Sequence, residues 1–316
     1  MGFDSYSVMS DHCNIQFQPA KLSLQDMKHY QATILATLTS ELGEGAFWWE
    51  ERKSWWWVDI LGQKIYSKDL AGQLYSYEAN RYVTMLVPVV GGKQLLVGTH
   101  HGVAFFSPED GLGEDVTVLD TRINVRCNDG KCDPAGRLWI GTMQMPADSG
   151  TGNLYCIDGK SAPEHKLQGV TISNGLVWIG KLMYYIDTDT RKVQEFEYDN
   201  ETGNITFSRI AVEIPEGYGW PDGMTADSDG NLWIAHWGGF GVYCWNPVTG
   251  QLLAKVEVPA PHVSNCVFGG NDLDELLITT AREHMNEELI AKYPLSGSTF
   301  RVKLPVKGLL ASYFKY

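Results

Sequence analysis

The sequence lacks the features that mark nucleic-acid-binding and membrane-spanning proteins. Lysine and arginine together number 25, against 38 aspartate and glutamate residues, which gives a formal net charge of −13. Without a basic surface to neutralise phosphates, the chain is not expected to bind nucleic acid or an anionic membrane. No stretch reaches 18 uninterrupted apolar residues, so no membrane-spanning segment is predicted.

Secretory signals and metal-thiolate motifs are also missing. Residues 1–27 contain neither the basic region nor the apolar region of a secretory signal, and Tyr6 stands where the myristoylation pattern needs Ser or Thr. The cysteines form no C-x-x-C pair, so no Cys/His zinc cage is expected. We predict reduced, mostly buried cysteines and a cytoplasmic location. The six cysteines are Cys13, Cys127, Cys132, Cys156, Cys244 and Cys266.

The chain also lacks an internal linker. Its 316 residues are 44% hydrophobic and include 11 Trp, which is ample for one large core, and no Pro/Ser/Gly-rich stretch interrupts them. We therefore expect a single domain over residues 35–316. Residues 1–34 carry no repeat and are expected to form an N-terminal extension.

What the sequence does contain is a long repeat. Six short apolar segments, spaced by 39 to 48 residues, align on one β-branched residue each. This period, rich in β-branched and aromatic residues, is typical of four-stranded propeller blades and predicts an all-β, six-bladed β-propeller. Two segments, DPAGRLWIG at 133–141 and DSDGNLWIA at 227–235, share a turn that begins with Asp and ends with Gly before the strand. The aligned residues are Val58, Val97, Ile140, Ile186, Ile234 and Ile278.

Polar residues recur at one phase of this repeat. Asn128, Asn174 and Asp222 each lie 12 residues before the aligned residue of their segment, and Glu44 lies 14 residues before the first aligned residue. In a propeller, equivalent positions of successive blades are related by rotation about the central axis. We therefore expect these side chains to converge at one mouth of the channel.

Two other features qualify this interpretation. Met85 and Cys266 occupy the same phase in the remaining blades, which suggests a pocket with one polar and one softer side. Asn-Gly and Asp-Gly are also common dipeptides of tight hairpins, so the polar positions have an alternative interpretation as turns. A second turn so close to Asp133 would leave a very short strand, which favours the axial interpretation.

Carboxylate and amide oxygens with at most two negative charges suit Ca²⁺, Mg²⁺, Mn²⁺ or a similar divalent cation, with water completing the shell. A cation that keeps exchangeable positions polarises a carbonyl and lowers the pKa of bound water. The pattern therefore predicts one divalent metal in the central channel and a hydrolytic reaction.

Several longer motifs resemble those of the SMP-30/gluconolactonase/regucalcin family. The similarity runs in collinear order over about residues 40–309 and implies a six-bladed propeller that hydrolyses sugar lactones with a divalent cation. The motifs are LGEG at 42–45, RCNDGKCDPAGRLWIGTM at 126–143, ISNGLVW at 172–178, PDGMTADSDGNLWIAHWGG at 221–239, FGG at 268–270 and TTAREHMNEELIAKYPLSGSTFRV at 279–302.

The resemblance also implies roles for individual residues. The family's metal ligands match Glu44, Asn174 and Asp222, and its substrate-contacting residues match Arg126 and Asn128. Asp222 matches the residue that serves as general base or orients the attacking water. The implied reaction is hydrolysis of an aldonolactone to the aldonic acid, with the metal polarising the carbonyl and Asp222 assisting water.

The chain departs from the family in the expected substrate pocket. Regucalcin-like members have an acidic pair after GTM, whereas this chain has Met145 and Pro146. His236-Trp237 replaces the usual residues after the fifth-blade strand. Tyr218 and Trp220 are expected to stack on the apolar face of the sugar, with packing between blades as the alternative for both. The identity of the lactone is therefore open.

Other functions remain possible from sequence alone. They are a regucalcin-type metal-binding or sequestering protein, a propeller that serves only as an interaction platform, and hydrolysis of phosphotriesters or aryl esters at the same metal. Histidine provides an alternative base at His100, His101 or His236. The sequence does not fix the oligomeric state or the choice among Ca²⁺, Mg²⁺, Mn²⁺, Zn²⁺ and Fe²⁺.

Overall fold

The computed structural model describes residues 27–316, which form six β-sheets arranged in a ring. The first strand of each sheet packs against the first strand of the next, and that of the sixth sheet packs against that of the first. These six innermost strands surround the central axis. The all-β, six-bladed propeller predicted from the repeat is confirmed.

Most blades contain four strands, and short turns connect consecutive strands. Two strands, β1 (Lys28–Gln31) and β2 (Thr33–Ala36), precede blade one. Blade one holds β3 (Gly43–Trp49), β4 (Ser54–Asp59), β5 (Lys64–Asp69) and β6 (Leu74–Glu78). Blade two holds β7 (Val83–Pro88), β8 (Leu95–Thr99), β9 (Gly102–Ser107) and β10 (Gly111–Val118). Blade three holds β11 (Val125–Cys132), β12 (Leu138–Gln144), β13 (Gly152–Ile157) and β14 (Glu164–Val170).

The second half of the ring repeats this plan. Blade four holds β15 (Ser173–Ile179), β16 (Leu182–Asp187), β17 (Lys192–Tyr198) and β18 (Ile205–Glu213), with a 3₁₀ turn at Thr188–Thr190. Blade five holds β19 (Trp220–Ala226), β20 (Leu232–Trp237), β21 (Gly241–Asn246) and β22 (Gln251–Glu257). Blade six holds β23 (Val263–Gly269), β24 (Glu275–Thr280) and β25 (Thr299–Lys303), with the helix α1 (Glu287–Lys292) between the last two.

The ring is closed by strands from the N-terminal side. β2 pairs antiparallel with β25 and supplies the outer strand of blade six, while β1 pairs parallel with β22 as a fifth strand of blade five. The sheets thus include residues 28–31 and 33–34, which lie before the boundary drawn at residue 35 from sequence. Residues 1–26 of the expected extension lie outside the described residues.

The repeat seen in the sequence marks the second strand of each blade. All six aligned β-branched residues are fully buried between neighbouring blades. The five cysteines from Cys127 onward are buried and unpaired, and Cys13 lies outside the described residues. No helix within residues 27–316 has the length and hydropathy of a membrane span.

The shared turn in blades three and five has a specific structural role. The buried carboxylate of Asp133 accepts the backbone N–H of Arg137 at 2.9 Å and the indole N–H of Trp139 at 2.9 Å. Asp227 makes the same two bonds, at 2.8 Å and 2.9 Å, to the residues four and six positions later. One side chain therefore both closes the turn and satisfies the buried tryptophan of the following strand.

These two aspartates provide a stability test. We expect Asp133→Ala and Asp227→Ala each to lower the free energy of unfolding by about 2–4 kcal/mol, because each leaves a buried indole N–H without an acceptor. Urea unfolding followed by tryptophan fluorescence measures the loss. Asp199→Ala, which opens a fully exposed turn closed by a similar carboxylate, is the matched control and should lose much less. Equal losses in all three variants would contradict the role given to the indole bond.

Candidate metal centre and substrate cavity

A cavity of about 390 Å³ opens at one end of the propeller axis. Its lining includes five polar side chains that are almost completely buried. They come from the innermost strands of blades one, three, four and five. The five are Glu44, Arg126, Asn128, Asn174 and Asp222. The structure thus brings together all the metal and substrate residues predicted from sequence on these four strands.

β-Bulges aim these side chains at the axis. In the first strand of each blade the pairing register with the second strand shifts, between Glu44 and Phe47 in blade one and between Asn174 and Leu176 in blade four. Equivalent shifts occur next to the polar residues of blades three and five. A bulge adds one residue to a strand and re-aims the neighbouring side chain. Since the polar residues lie within strands, the alternative that they form hairpin turns is wrong.

The glycines that follow the candidate ligands permit close packing of the inner strands. A Cβ atom on Gly175 would lie 2.6 Å from Cβ of Met224, and one on Gly223 would lie 2.4 Å from Nδ2 of Asn265. Gly45 faces the inner strand of blade two in the same manner and has a φ of +58°. The Asn-Gly and Asp-Gly dipeptides therefore reflect the approach of the next blade to the axis.

Hydrogen bonds fix the orientation of the two amides. Nδ2 of Asn128 donates to the carbonyl of Ser173 at 2.7 Å and to Oδ1 of Asn174 at 3.2 Å. Nδ2 of Asn174 donates to Thr188 at 2.7 Å, and the Thr188 hydroxyl donates to the carbonyl of Pro221 at 2.8 Å. This chain of bonds crosses blades three, four and five. It holds the amide oxygen of Asn174 in one orientation.

The two carboxylates differ in their partners. Oε2 of Glu44 accepts the backbone N–H of Gly45 and the side-chain N–H of Asn265, both at 3.0 Å. Within residues 27–316, no group donates a hydrogen bond to the carboxylate of Asp222. Glu44 is thus oriented through one oxygen, and Asp222 keeps its oxygen lone pairs for a ligand.

Burial and the closeness of like charges disfavour the ionised forms of the carboxyl groups in this cluster. Burial and the neighbouring Asp129 raise the pKa of Glu44 to about 8. Burial, together with the charges of Glu44 and Asp129, also raises the pKa of Asp222. The guanidinium of Arg126 opposes both shifts, but its own pKa is lowered by burial. Buried charges of one sign require a counter-charge nearby.

The donor set fits a hard divalent cation. Glu44, Asn174 and Asp222 offer carboxylate and amide oxygens, which Ca²⁺, Mg²⁺ and Mn²⁺ prefer. In the part of the chain that the structure describes, no group of three His, Cys, Asp or Glu side chains forms a metal site. The candidate set has two carboxylates and an amide as its third member. A cation there would offset the repulsion that the polypeptide alone leaves uncompensated.

Aromatic and methionine side chains line the walls of the cavity beyond the candidate metal ligands. Trp220 is partly exposed and carries the guanidinium of Arg191 at 3.6 Å from its ring centroid. Trp237 also lines the cavity and stacks on His262 with centroids 4.3 Å apart. Tyr218, which precedes Trp220, is absent from the lining and packs against Tyr243. Packing between blades therefore describes Tyr218, whereas Trp220 faces the cavity.

Several residues around the site were not found from sequence. Glu283 and His284 line the cavity from the loop after β24, and Asn265 holds Glu44. The expectation that Met85 and Cys266 form the softer side of the pocket is wrong, because both are buried in the core clusters and do not line the cavity. In blade six the bulge precedes Asn265, so this residue, one position before the expected one, contacts the site.

The histidines proposed as alternative bases lie elsewhere. None of His100, His101 and His236 lines the cavity. His236 is fully buried, its Nδ1 donates to the carbonyl of Tyr218 at 2.7 Å, and its ring stacks on Tyr243. Among the described residues its Nε2 has no partner, and burial lowers its pKa to about 3. These contacts give His236 a structural role.

Comparisons with known proteins give a consistent result. Residues 42–282 match the family model described as SMP-30/Gluconolactonase/LRE-like region. A Bacillus subtilis protein provisionally named sugar lactone lactonase YvrE is 33% identical over 280 residues, which cover 88% of this chain and 96% of that protein. Regucalcin of Danio rerio is 36% identical over 280 residues, covering 85% and 93% respectively. The structure of a calcium-binding regucalcin from Agrobacterium tumefaciens aligns with a TM-score of 0.86 at 26% identity, covering 92% of this chain and 99% of that one.

The buried histidine predicts an acid sensitivity. His236 stays neutral in the folded protein, while the unfolded chain takes up a proton below about pH 6.5. Stability contributed by the neutral ring is therefore lost as pH falls from about 6.5 towards 3. Between pH 7 and pH 5 we expect wild type to lose about 2 kcal/mol more unfolding free energy than His236→Asn, which cannot titrate. Urea titrations at both pH values, with the exposed His165→Asn as control, check this; equal pH dependence of wild type and His236→Asn would contradict it.

Proposed function

Since the chain belongs to the SMP-30/gluconolactonase/LRE-like family, we propose that it is a lactonase that hydrolyses a lactone to the hydroxy acid at the axial cavity. The observation that carries this proposal is the meeting of Glu44, Asn174 and Asp222 beside Arg126 and Asn128. Oxygen ligands from three blades stand next to groups that can hold a polar substrate. The family-level assignment agrees with the relative named as a sugar lactone lactonase.

The oxygens of Glu44, Asn174 and Asp222 would hold one divalent cation. When bound, such a cation supplies Lewis-acid polarisation of the lactone carbonyl. The protein contributes the fixed orientation of these ligands, through Asn265 on Glu44 and Thr188 on Asn174. Pre-oriented ligands need no rearrangement when charge develops in the transition state.

Asp222 is the proposed general base. Its carboxylate accepts no hydrogen bond from residues 27–316, so it has lone pairs available for a water molecule. Water adds to the carbonyl carbon as Asp222 takes its proton, and the ring C–O bond breaks as the proton passes to the departing ring oxygen. The product carries one hydroxyl group and one carboxylic acid group, and the acid releases its proton to solvent to become a carboxylate.

Arg126 and Asn128 are proposed to hold the substrate. Nη1 of Arg126 donates to the carbonyl of Cys127 at 2.9 Å and to Oδ1 of Asn128, which fixes the guanidinium beside the metal ligands. Within the described residues Nη2 has no acceptor, so it is available to a substrate oxygen. Trp220 would contact the apolar face of the bound ring.

A second candidate function is cation binding without turnover. The relatives named regucalcin, one of them described as calcium-binding, favour it, and the carboxylate pair would serve that function equally well. The two functions separate on one measurement, because a sequestering protein binds the ion but leaves lactone hydrolysis at its uncatalysed rate.

Substitutions should separate cation binding from substrate binding. We expect Asp222→Ala and Asn174→Ala to abolish both cation binding and turnover, since each removes a proposed metal ligand. Arg126→Ala should keep cation binding but lower kcat/KM by about 10²-fold. Calorimetry with Ca²⁺, Mg²⁺, Mn²⁺, Zn²⁺ and Fe²⁺ and acid release from a panel of aldonolactones give the two readouts. Asp272→Ala, at an exposed turn of blade six, is the control. Wild-type turnover in Asp222→Ala would remove Asp222 as both ligand and base.

Cation removal should change stability as well as activity. At 100 times its Kd a cation that binds only the folded state adds about 2.7 kcal/mol to the unfolding free energy. We expect this gain in wild type and its absence in Asp222→Asn. With chelator, Asp222→Asn should be at least as stable as wild type, because it removes a buried negative charge beside Glu44. Thermal unfolding with and without chelator measures this, and an equal cation response in both proteins would refute the assignment of Asp222.

A further inference from the structure

The walls above the ligands divide the cavity into a polar and an apolar part. Glu283 and His284 approach from blade six and Asp189 from blade four. Most of the remaining wall cannot form strong hydrogen bonds, and its residues come from blades one, three, four and five. It consists of Met143, Met145, Pro146, Ala147, Ile172, Trp220, Trp237 and Leu42.

The sulfur-containing part of this wall lies directly beside the proposed substrate residues. Met143 is the cross-strand partner of Arg126, so the two side chains stand on the same face of blade three. Met143 also bridges to Ile172 at the start of blade four, and the backbone N–H of Met145 donates to the carbonyl of Asn124 at 2.7 Å. The apolar wall is therefore anchored at both of its methionines.

Trp220 and Trp237, on the other side of the cavity from the methionines, are also held in place by neighbouring side chains. One face of Trp220 is covered by Arg191, and Trp237 is stacked against His262 at an interplanar angle of 8°. Rings fixed in this way lose little conformational freedom when a ligand binds, which favours binding of an apolar group.

A molecule with hydroxyl groups all round would fit this cavity poorly. A hydroxyl group placed against the thioether of Met145 or the ring of Pro146 would lose its bonds to water without gaining others. An alkyl or aryl group at the same place would instead remove apolar surface from water on both sides. The volume of about 390 Å³ lies in the lower part of the range of small-molecule sites, roughly 300–1,000 Å³.

We infer that the preferred substrate is a lactone with an alkyl or aryl substituent, which lies against Met143, Met145 and Pro146 while the ring carbonyl faces Asp222. This inference rests on the proposed lactonase function and specifies its substrate class. Polar groups on the opposite side of the same lactone would face Glu283 and His284.

A chain-length series tests the inference. γ-Lactones with side chains from none to five carbons, dihydrocoumarin as the aryl probe, and gluconolactone and galactonolactone as fully hydroxylated probes are assayed by acid release with saturating cation. We expect kcat/KM to rise about fourfold for each added methylene until the wall is filled. Dihydrocoumarin should exceed both aldonolactones.

Variants of the wall give the decisive control. Met145→Glu should reduce the gain per methylene to less than about 1.5-fold, because a charged side chain replaces the apolar contact. Calorimetric cation binding should be unchanged, which shows that the variant is folded. Val248→Glu places the same charge on an exposed apolar residue of a distant turn and should retain the wild-type series. Met145→Leu should also retain it.

The possible outcomes distinguish this inference from the function on which it rests. Hydrolysis of aldonolactones with no gain along the alkyl series overturns the inference and leaves the lactonase proposal standing. Absence of turnover on every lactone, with cation binding intact, overturns both. A gain per methylene that persists in Met145→Glu overturns the placement of the substituent.

Discussion

The candidate site is built around two buried carboxylates that meet at the axis of the ring. Glu44 and Asp222 come from blades one and five, and the charge of Glu44 and burial together raise the pKa of Asp222. Arg126 and Asn265 offset only part of this cost. Buried charges of one sign cost stability unless an opposite charge or hydrogen bonds compensate them. The proposed cation would offset this charge, and by binding only the folded protein it would add to the stability of the ring.

The floor and the walls of the cavity are built from different parts of the fold. The floor uses bulged innermost strands, packed so closely that Gly175 and Gly223 have no room for a side chain. Its geometry therefore comes with the propeller itself. The walls come from loops and strand ends such as Met145-Pro146 and Glu283-His284, which can change without disturbing the ring. Under the proposed function, the floor would therefore determine the type of reaction and the walls the choice of substrate.

The sequence predicted correctly those features of the fold and the site that depend on the residues of a single blade. The β-branched repeat predicted the six blades, and the polar residues at a fixed phase predicted which side chains meet. It was less informative about details that depend on two strands. Cys266 was expected at the axis, but the bulge in blade six lies before Asn265, and a bulge has no clear sequence signature. The contributions of β1 and β2 to blades five and six also depend on partners far along the chain. The second role of Asp133, as acceptor for an indole, became visible only with the register of its hairpin.

The pairing of β2 with β25 has a consequence for the biosynthesis of the protein. Thr33 and its partner Arg301 are separated by 268 residues, so β2, which leaves the ribosome early, must wait for β25, the last strand of the described residues. Until Thr299–Lys303 emerges, blade six lacks two strands and the circle remains open, with unpaired edges at both ends. Contacts of such long range form slowly, and open strand edges are sites of aggregation. The nascent chain therefore keeps an unpaired strand edge for most of its translation.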